Sequence, residues 1–202
     1  EEILDAETAA VTPASEENSQ NYHISKEELG TGTIREKCWK NILAIETVKQ
    51  LEKEQRQATK EEQNILADYV GWGGIADVFD EKKPQWQEAR ERIQTALTLE
   101  EYRSAVGSVL NAHYTQPVLI KAMYQVLAGL GFTKGRILEP SCGTGNFFGL
   151  LPESMNKSTL YGVELDQMSA KIAGYLYPEV NIENTGFERT DYPDGYFDIA
   201  VG

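Results

Sequence analysis

The chain is poor in the residues that staple or metallate a fold. Among its 202 residues are two cysteines, Cys38 and Cys142, and two histidines, His23 and His113. Two thiols alone make neither a disulfide framework nor a zinc spacing, so a reducing cytoplasm is the expected setting. No apolar run reaches the length that crosses a bilayer, and nothing at the start resembles a signal peptide. Basic residues are also scarce, with 19 lysines and arginines against 32 aspartates and glutamates, a formal charge of −13. Gripping a phosphate backbone depends on cationic side chains, so any surface that binds nucleic acid must be local or lie outside this chain.

What is present suffices for a core. Hydrophobic residues make up 41% of the chain, room for one domain with a helical extension or for two small ones. The first residue is not methionine and Gly202 falls within an apolar strand pattern, so a piece of a larger protein is expected. Residues 1–21 read as an acidic, disordered tail or linker, since the first twenty hold six acidic side chains and no basic one.

From Tyr22 the pattern becomes helical. Trp39, Ile42, Leu43, Val48 and Leu51 recur at helical spacing, predicting an amphipathic helix from Glu36 to about Gln55. Thr59-Lys60-Glu61-Glu62 and Thr98-Leu99-Glu100-Glu101 each read as a capping box, where hydroxyl and carboxylate satisfy each other's backbone donors. The first opens a helix with Ile65, Leu66, Tyr69 and Val70 inward, stopping at Gly71. The second opens one with Tyr102, Ala105, Val106, Val109 and Leu110 on one stripe. Between them Gly71-Trp72-Gly73-Gly74 makes an aromatic-bearing turn, whose indole either packs between helices or stacks on a base. Residues 22–111 thus form a helical subdomain without a catalytic constellation, and His23 has a surface or structural role.

Residues 112–202 alternate helix and strand, which predicts a parallel sheet with right-handed crossovers. Thr115 and Pro117 suit a helix start, and Leu119, Ala122, Met123, Val126, Leu127 and Leu130 form its apolar stripe up to Gly131. The organising stretch follows. Arg136-Ile137-Leu138 is a buried strand, Glu139-Pro140-Ser141-Cys142-Gly143-Thr144-Gly145 a tight loop, and Asn146-Phe147-Phe148 a helix start. Thr159 to Asp166 is the next strand, with Asp166 as N-cap of a helix that buries Met168, Ile172 and Leu176. Val180–Thr185 and Phe197–Gly202 are the third and fourth strands, separated by a Pro193-Asp194-Gly195 turn. Two glycines one residue apart let a ligand approach bare backbone beside a helix N-terminus. A dinucleotide fingerprint needs a third glycine where Phe148 stands, so NAD is the weaker reading. A glycine turn joining strand to helix is the plain alternative. Cys142 has no histidine near it in sequence and is not read as a nucleophile.

Glu139-Pro140-Ser141-Cys142-Gly143-Thr144-Gly145-Asn146-Phe147 resembles motif I of S-adenosylmethionine-dependent methyltransferases, in the form found in amino-group DNA methyltransferases of the gamma ordering. Tyr114-Thr115-Gln116-Pro117 resembles their motif X, Gly162-Val163-Glu164 motif II, and Thr185-Gly186-Phe187 the place of motif III. The resemblance implies an α/β, Rossmann-like methyltransferase sheet, cut after its fourth strand and preceded by the helical subdomain. It implies S-adenosyl-L-methionine as cofactor. Glu139 would reach the ammonium, with Pro140, Gly143, Gly145, Asn146 and Phe147 around the methionine part and Tyr114 and Thr115 lining the pocket. Glu164 would take the ribose, Leu165 and Phe187 the adenine. Where motif III has an aspartate this chain has Gly186, so the adenine amine needs another partner, for which Glu188 is a candidate.

The implied activity is methylation of adenine's exocyclic amine in DNA, with the catalytic Asn/Asp-Pro-Pro-aromatic run expected just after Gly202, no catalytic residue within the chain, and no turnover by the chain alone. Tyr69-Val70-Gly71-Trp72-Gly73-Gly74 and Leu110-Asn111-Ala112-His113-Tyr114-Thr115 also resemble, more loosely, large bacterial mobile-element proteins that join a DNA methylase to a helicase. The partners implied are therefore DNA, through other regions, and a helicase domain in the same full-length chain. Methylation of RNA or of a protein amide, or a non-catalytic docking module, are the alternatives.

Overall fold

The computed structural model describes residues 20–25, 30–110 and 114–202; residues 1–19 of the acidic tail 1–21, and His113, lie outside them. α1, Ile34–Glu54, starts at a capping box, with the Thr33 side chain accepting from the Glu36 N–H and the Glu36 carboxylate accepting from the Thr33 N–H. α2, Lys60–Leu66, and α4, Leu99–Ser108, begin at the two capping boxes read from sequence. α2 ends at Leu66 rather than at Gly71; Tyr69 is still buried, in the turn that follows. α3, Gln87–Ala96, is a helix that the sequence reading does not place. It follows two short 3-10 turns over Ala76–Phe79 and Pro84–Trp86 and brings Ile93 into the core.

α5, Pro117–Gly129, leads to β1, Arg136–Glu139, and the glycine loop to α6, Asn146–Gly149. Then come β2, Thr159–Glu164, α7, Gln167–Leu176, β3, Asn181–Asn184, and β4, Ile199–Ala200. All strand pairs are parallel, in the order β3-β2-β1-β4. Glu139 stands opposite Gly162, and Ile137 pairs with Leu160 on one side and Ile199 on the other. The order reverses between β1 and β4, the place where open sheets of this kind take ligands outside their carboxyl ends. The expected Rossmann-like α/β sheet preceded by helices is what the chain adopts.

The helices and the sheet share one hydrophobic core, from Ile42 and Leu51 through Trp72 and Ile93 to Ile137, Phe147 and Ile172. Trp72 is fully buried, edge-on to Tyr69 and Phe79, so its indole packs between helices and is not offered to a base. α7 lies against β2 and β3 and also touches α1, α2 and α4. The stretch 20–25 is drawn in too, with Tyr22 N–H donating to Leu176 O at 2.7 Å and Ile24 N–H to Gly149 O at 2.9 Å. Among the described residues, no helix is long and apolar enough to cross a membrane.

Two helix faces differ from expectation. α5 is apolar nearly all round, and it buries Pro117, Ile120 and Tyr124 while Leu119, Met123 and Val126, with Leu130 just beyond its end, are exposed. The Tyr124 hydroxyl explains the choice, since it donates to Phe147 O at 2.9 Å and turns that side inward. Its N-cap is Gln116, not Thr115. α4 buries Ala105 but leaves Val106 outside, with Leu110 exposed beyond its end, because Glu101 is drawn inward by two lysines.

Candidate functional site

β1 ends on Glu139, and the chain must then turn sharply to enter α6. Cys142 N–H donates to Val163 O at 2.9 Å, tying the loop to β2, and Gly145 N–H closes a turn on Cys142 O at 2.8 Å. Gly143 and Gly145 have φ of 55° and 85°, the left-handed region where a Cβ is costly. A Cβ at 143 would stand 2.9 Å from the Tyr114 ring, and one at 145 would stand 2.5 Å from Tyr177. The first glycine therefore admits Tyr114 onto bare backbone, while the second admits a core tyrosine.

Glu164, at the tip of β2, clasps this loop. Its Oε2 accepts from Gly143 N–H and its Oε1 from Asp166 N–H, both at 2.7 Å. Asn184, at the end of β3, donates to the carbonyls of Glu164 and Leu165 at 2.8 and 3.2 Å, so the tips of β2 and β3 are held together. Asp166 caps α7, accepting from the Ser169 N–H and hydroxyl at 2.8 Å each, and also accepts from Ser104 Oγ at 2.9 Å. The N-cap role read from sequence is present, with an added tie to α4.

Around these groups opens a cleft of about 630 Å³. Tyr114, Pro140, Gly143, Glu164, Leu165 and Phe187 line it, so these sequence candidates from four separate segments converge. Glu139 lies behind the loop, 5% exposed, and its Oε2 has no hydrogen-bond partner among the described residues. Thr115 is half-buried next to Tyr114 and is not on the cleft wall. Gly145, Asn146 and Phe147 begin α6, and Phe147 is buried edge-on to Tyr124. Near Gly186 the Glu188 carboxylate folds back so closely that a Cβ at 186 would collide with it. It thereby occupies the space a side chain at 186 would take, and it too lines the cleft.

The electrostatics follow from burial. Burial pushes the Glu139 carboxyl well above its ordinary value, and the nearby Glu164 carboxylate adds to the shift. Glu164 is raised by burial as well, with the N–H groups of Asp166 and Gly143 pulling it back. Two acids at neighbouring strand ends, without an ion pair to a lysine or arginine among the described residues, make a region suited to a cation and to hydroxyl donors. Burial also pushes the Cys142 thiol up, which keeps it from acting as a thiolate nucleophile.

The sequence reading missed the other half of the wall. Gly71, Ser104, Gly107, Ser108 and Ser169 line the cleft, as do Ser141, Asp166, Thr185 and Gly186 from the strand tips. The α4 residues carry a signal only in retrospect, as small residues three and four apart on one helix face.

No family model matches the chain. It is 25% identical over 146 residues to "Defense against restriction protein B" of Escherichia phage P1, a match covering 71% of this chain and 5% of that protein. It is 36% identical over 66 residues to "Modification methylase CviBIII" of Paramecium bursaria Chlorella virus NC1A, covering 33% of this chain and 18% of that one. The chain therefore spans under one fifth of either relative. Among solved structures, a putative class I S-adenosylmethionine-dependent methyltransferase from Listeria monocytogenes aligns with 82% of the chain and 58% of its own, at TM-score 0.35 and 13% identity. The methyltransferase subunit of a type I restriction-modification system from Streptococcus thermophilus aligns over 79% and 43%, at TM-score 0.35 and 15% identity.

Proposed function

We propose that this chain holds the S-adenosyl-L-methionine-binding portion of a DNA methyltransferase acting on the exocyclic amine of adenine. One observation carries the reading. Two acids at the carboxyl ends of adjacent parallel strands, buried Glu139 and half-buried Glu164, flank a glycine loop whose backbone Tyr114 approaches directly. The likeness to a modification methylase supports it.

The residues fit the cofactor. Glu139 Oε2, buried and without a partner among the described residues, suits an ammonium, which would hold the carboxyl ionised against its raised pKa. Glu164 keeps unused lone pairs on both oxygens for the ribose hydroxyls while its present bonds hold Gly143 and Asp166 in place. Leu165 and Phe187, both exposed on the cleft, offer apolar surface to the purine, and Glu188 offers its carboxylate to the adenine amine in place of the acid that Gly186 lacks. In the cofactor, a sulfonium supplies an activated methyl group. The chain's own contribution is to orient that nucleoside and keep water from the buried Glu139. An adenine amine stacked in a duplex cannot reach such a cleft, so the base would be rotated out.

The sequence contains no Asn/Asp-Pro-Pro-aromatic run, so binding without turnover is the behaviour proposed for residues 1–202 alone. A helicase region in the same full-length chain belongs to this reading. Calorimetric titration tests it. S-adenosylmethionine should bind wild type and bind Glu164→Ala about tenfold more weakly or worse, roughly 1.4 kcal/mol, and NAD should not compete. Binding of NAD in preference, or no S-adenosylmethionine binding, overturns the reading.

A further inference from the structure

α4 belongs to the helical region, yet it faces the cleft. Ser104, Gly107 and Ser108 share one side of the helix and line the cleft together with the glycine loop and the tip of β2. Ser104 Oγ donates to Asp166 Oδ1 at 2.9 Å, which fixes this face beside the strand end that carries Glu164 and Leu165. Ser108 turns its hydroxyl back to Ala105 O at 2.8 Å, and so presents little bulk.

Gly107 is the informative residue. Glycine inside a helix costs about 0.5–1 kcal/mol relative to alanine, and no φ in the left-handed region requires it at 107. A Cβ at 107 would meet no atom within 4 Å, so protein packing does not require it either. What the missing side chain leaves clear is space on the cleft side of α4. The flanking Val106 and Leu110 are large and exposed, so the reduction in size is confined to the face that lines the cleft.

We infer that α4 is a wall of the cofactor site, with Ser104, Gly107 and Ser108 seating the nucleoside end and Ser104 acting as a positioning residue through Asp166. The nucleoside end is assigned because α4 is tied to the β2 tip, whereas Glu139 lies behind the glycine loop. This rests on the reading of the cleft given above. It makes the N-terminal helices part of the cofactor-binding unit, not an appended module.

Two plugging variants, Gly107→Leu and Ser108→Leu, test it, with Gly107→Ala as the mild control. The measurements are S-adenosylmethionine affinity by calorimetry, adenosine binding by ligand-observed NMR, and melting temperature. Gly107→Leu should melt at or above the wild-type temperature while losing about tenfold or more in S-adenosylmethionine affinity and the adenosine signal. Ser108→Leu should lose affinity the same way, which covers the case in which one plug alone disturbs folding. If either plug folds and binds both ligands as wild type does, while Glu164→Ala is weakened, the wall assignment falls and the cofactor reading stands. If the wild-type chain binds no S-adenosylmethionine, the cofactor reading falls and takes this inference with it.

Discussion

Two glutamates, one at the α4–α7 junction and one at the tip of β1, are almost equally buried and behave in opposite ways. Glu101, 4% exposed, accepts from Lys49 Nζ at 2.5 Å and Lys171 Nζ at 2.9 Å through Oε1, and from Thr98 N–H at 2.8 Å through Oε2. Burial works to raise its pKa, but the two lysines and the Thr98 cap outweigh that and hold it at about 2. Glu139, 5% exposed, faces another acid instead, and burial lifts it. The first glutamate is satisfied within the fold and joins the helices to the sheet. The second carries an unused acceptor that the fold itself does not need. Burial alone therefore says little about a charged residue; what its oxygens meet decides whether it serves stability or a ligand.

The comparison breaks most visibly at Glu101. Glu101→Ala leaves Lys49 and Lys171, each about a quarter exposed, to Glu52 alone, and should cost about 2 kcal/mol in urea denaturation. A loss below about 1 kcal/mol would rank the junction with ordinary surface ion pairs. The same carboxylate should shape the acid limb. Its folded pKa lies below the ordinary 4.5, so its contribution is complete above that value and disappears as pH falls toward about 2. Glu101→Ala should accordingly show a shallower loss of stability across that window.

Glu139→Gln should do the reverse. With its pKa raised in the folded state, the native acid is a cost that grows as pH rises above the ordinary value, so the glutamine variant should be as stable as wild type at neutral pH, or more so. Its S-adenosylmethionine affinity should fall about tenfold, roughly 1.4 kcal/mol. A variant that unfolds early yet binds normally would place Glu139 with Glu101 as a structural residue. The smallest effect is expected at Thr98→Ala, which removes one half of the capping box and should cost about 1 kcal/mol, read as a shift in denaturation midpoint.

Local chemistry was legible where it depends on neighbours in sequence. The capping boxes at Thr59 and Thr98, the N-cap at Asp166 and the strand–loop–helix around Gly143 are present as read. Helix faces were not. α5 has apolar side chains on several sides, and periodicity alone cannot tell which side a partner will cover. α3 was missed because its only large apolar side chain in the core is Ile93, too few to make a stripe. Within the site, the glycine loop, Glu139 and Glu164 could be named from the chain because each ends a strand pattern. Ser104, Gly107 and Ser108 could not, since small residues inside a helix carry no local mark of a ligand.

By itself the order of residues determined the parallel strands, the left-handed glycine turn between β1 and α6, and the carboxylates at the strand ends, because these follow from alternation, Cβ sterics and chain direction. Only tertiary packing decided which lysines neutralise Glu101, which side of α5 turns inward, and that α4 crosses the chain to wall the cleft. Those outcomes join residues distant in sequence, such as Tyr124 with Phe147, Ser104 with Asp166 and Glu101 with Lys171. Such pairings are settled by the total apolar surface buried and the charges left without partners, quantities that no local stretch of sequence contains.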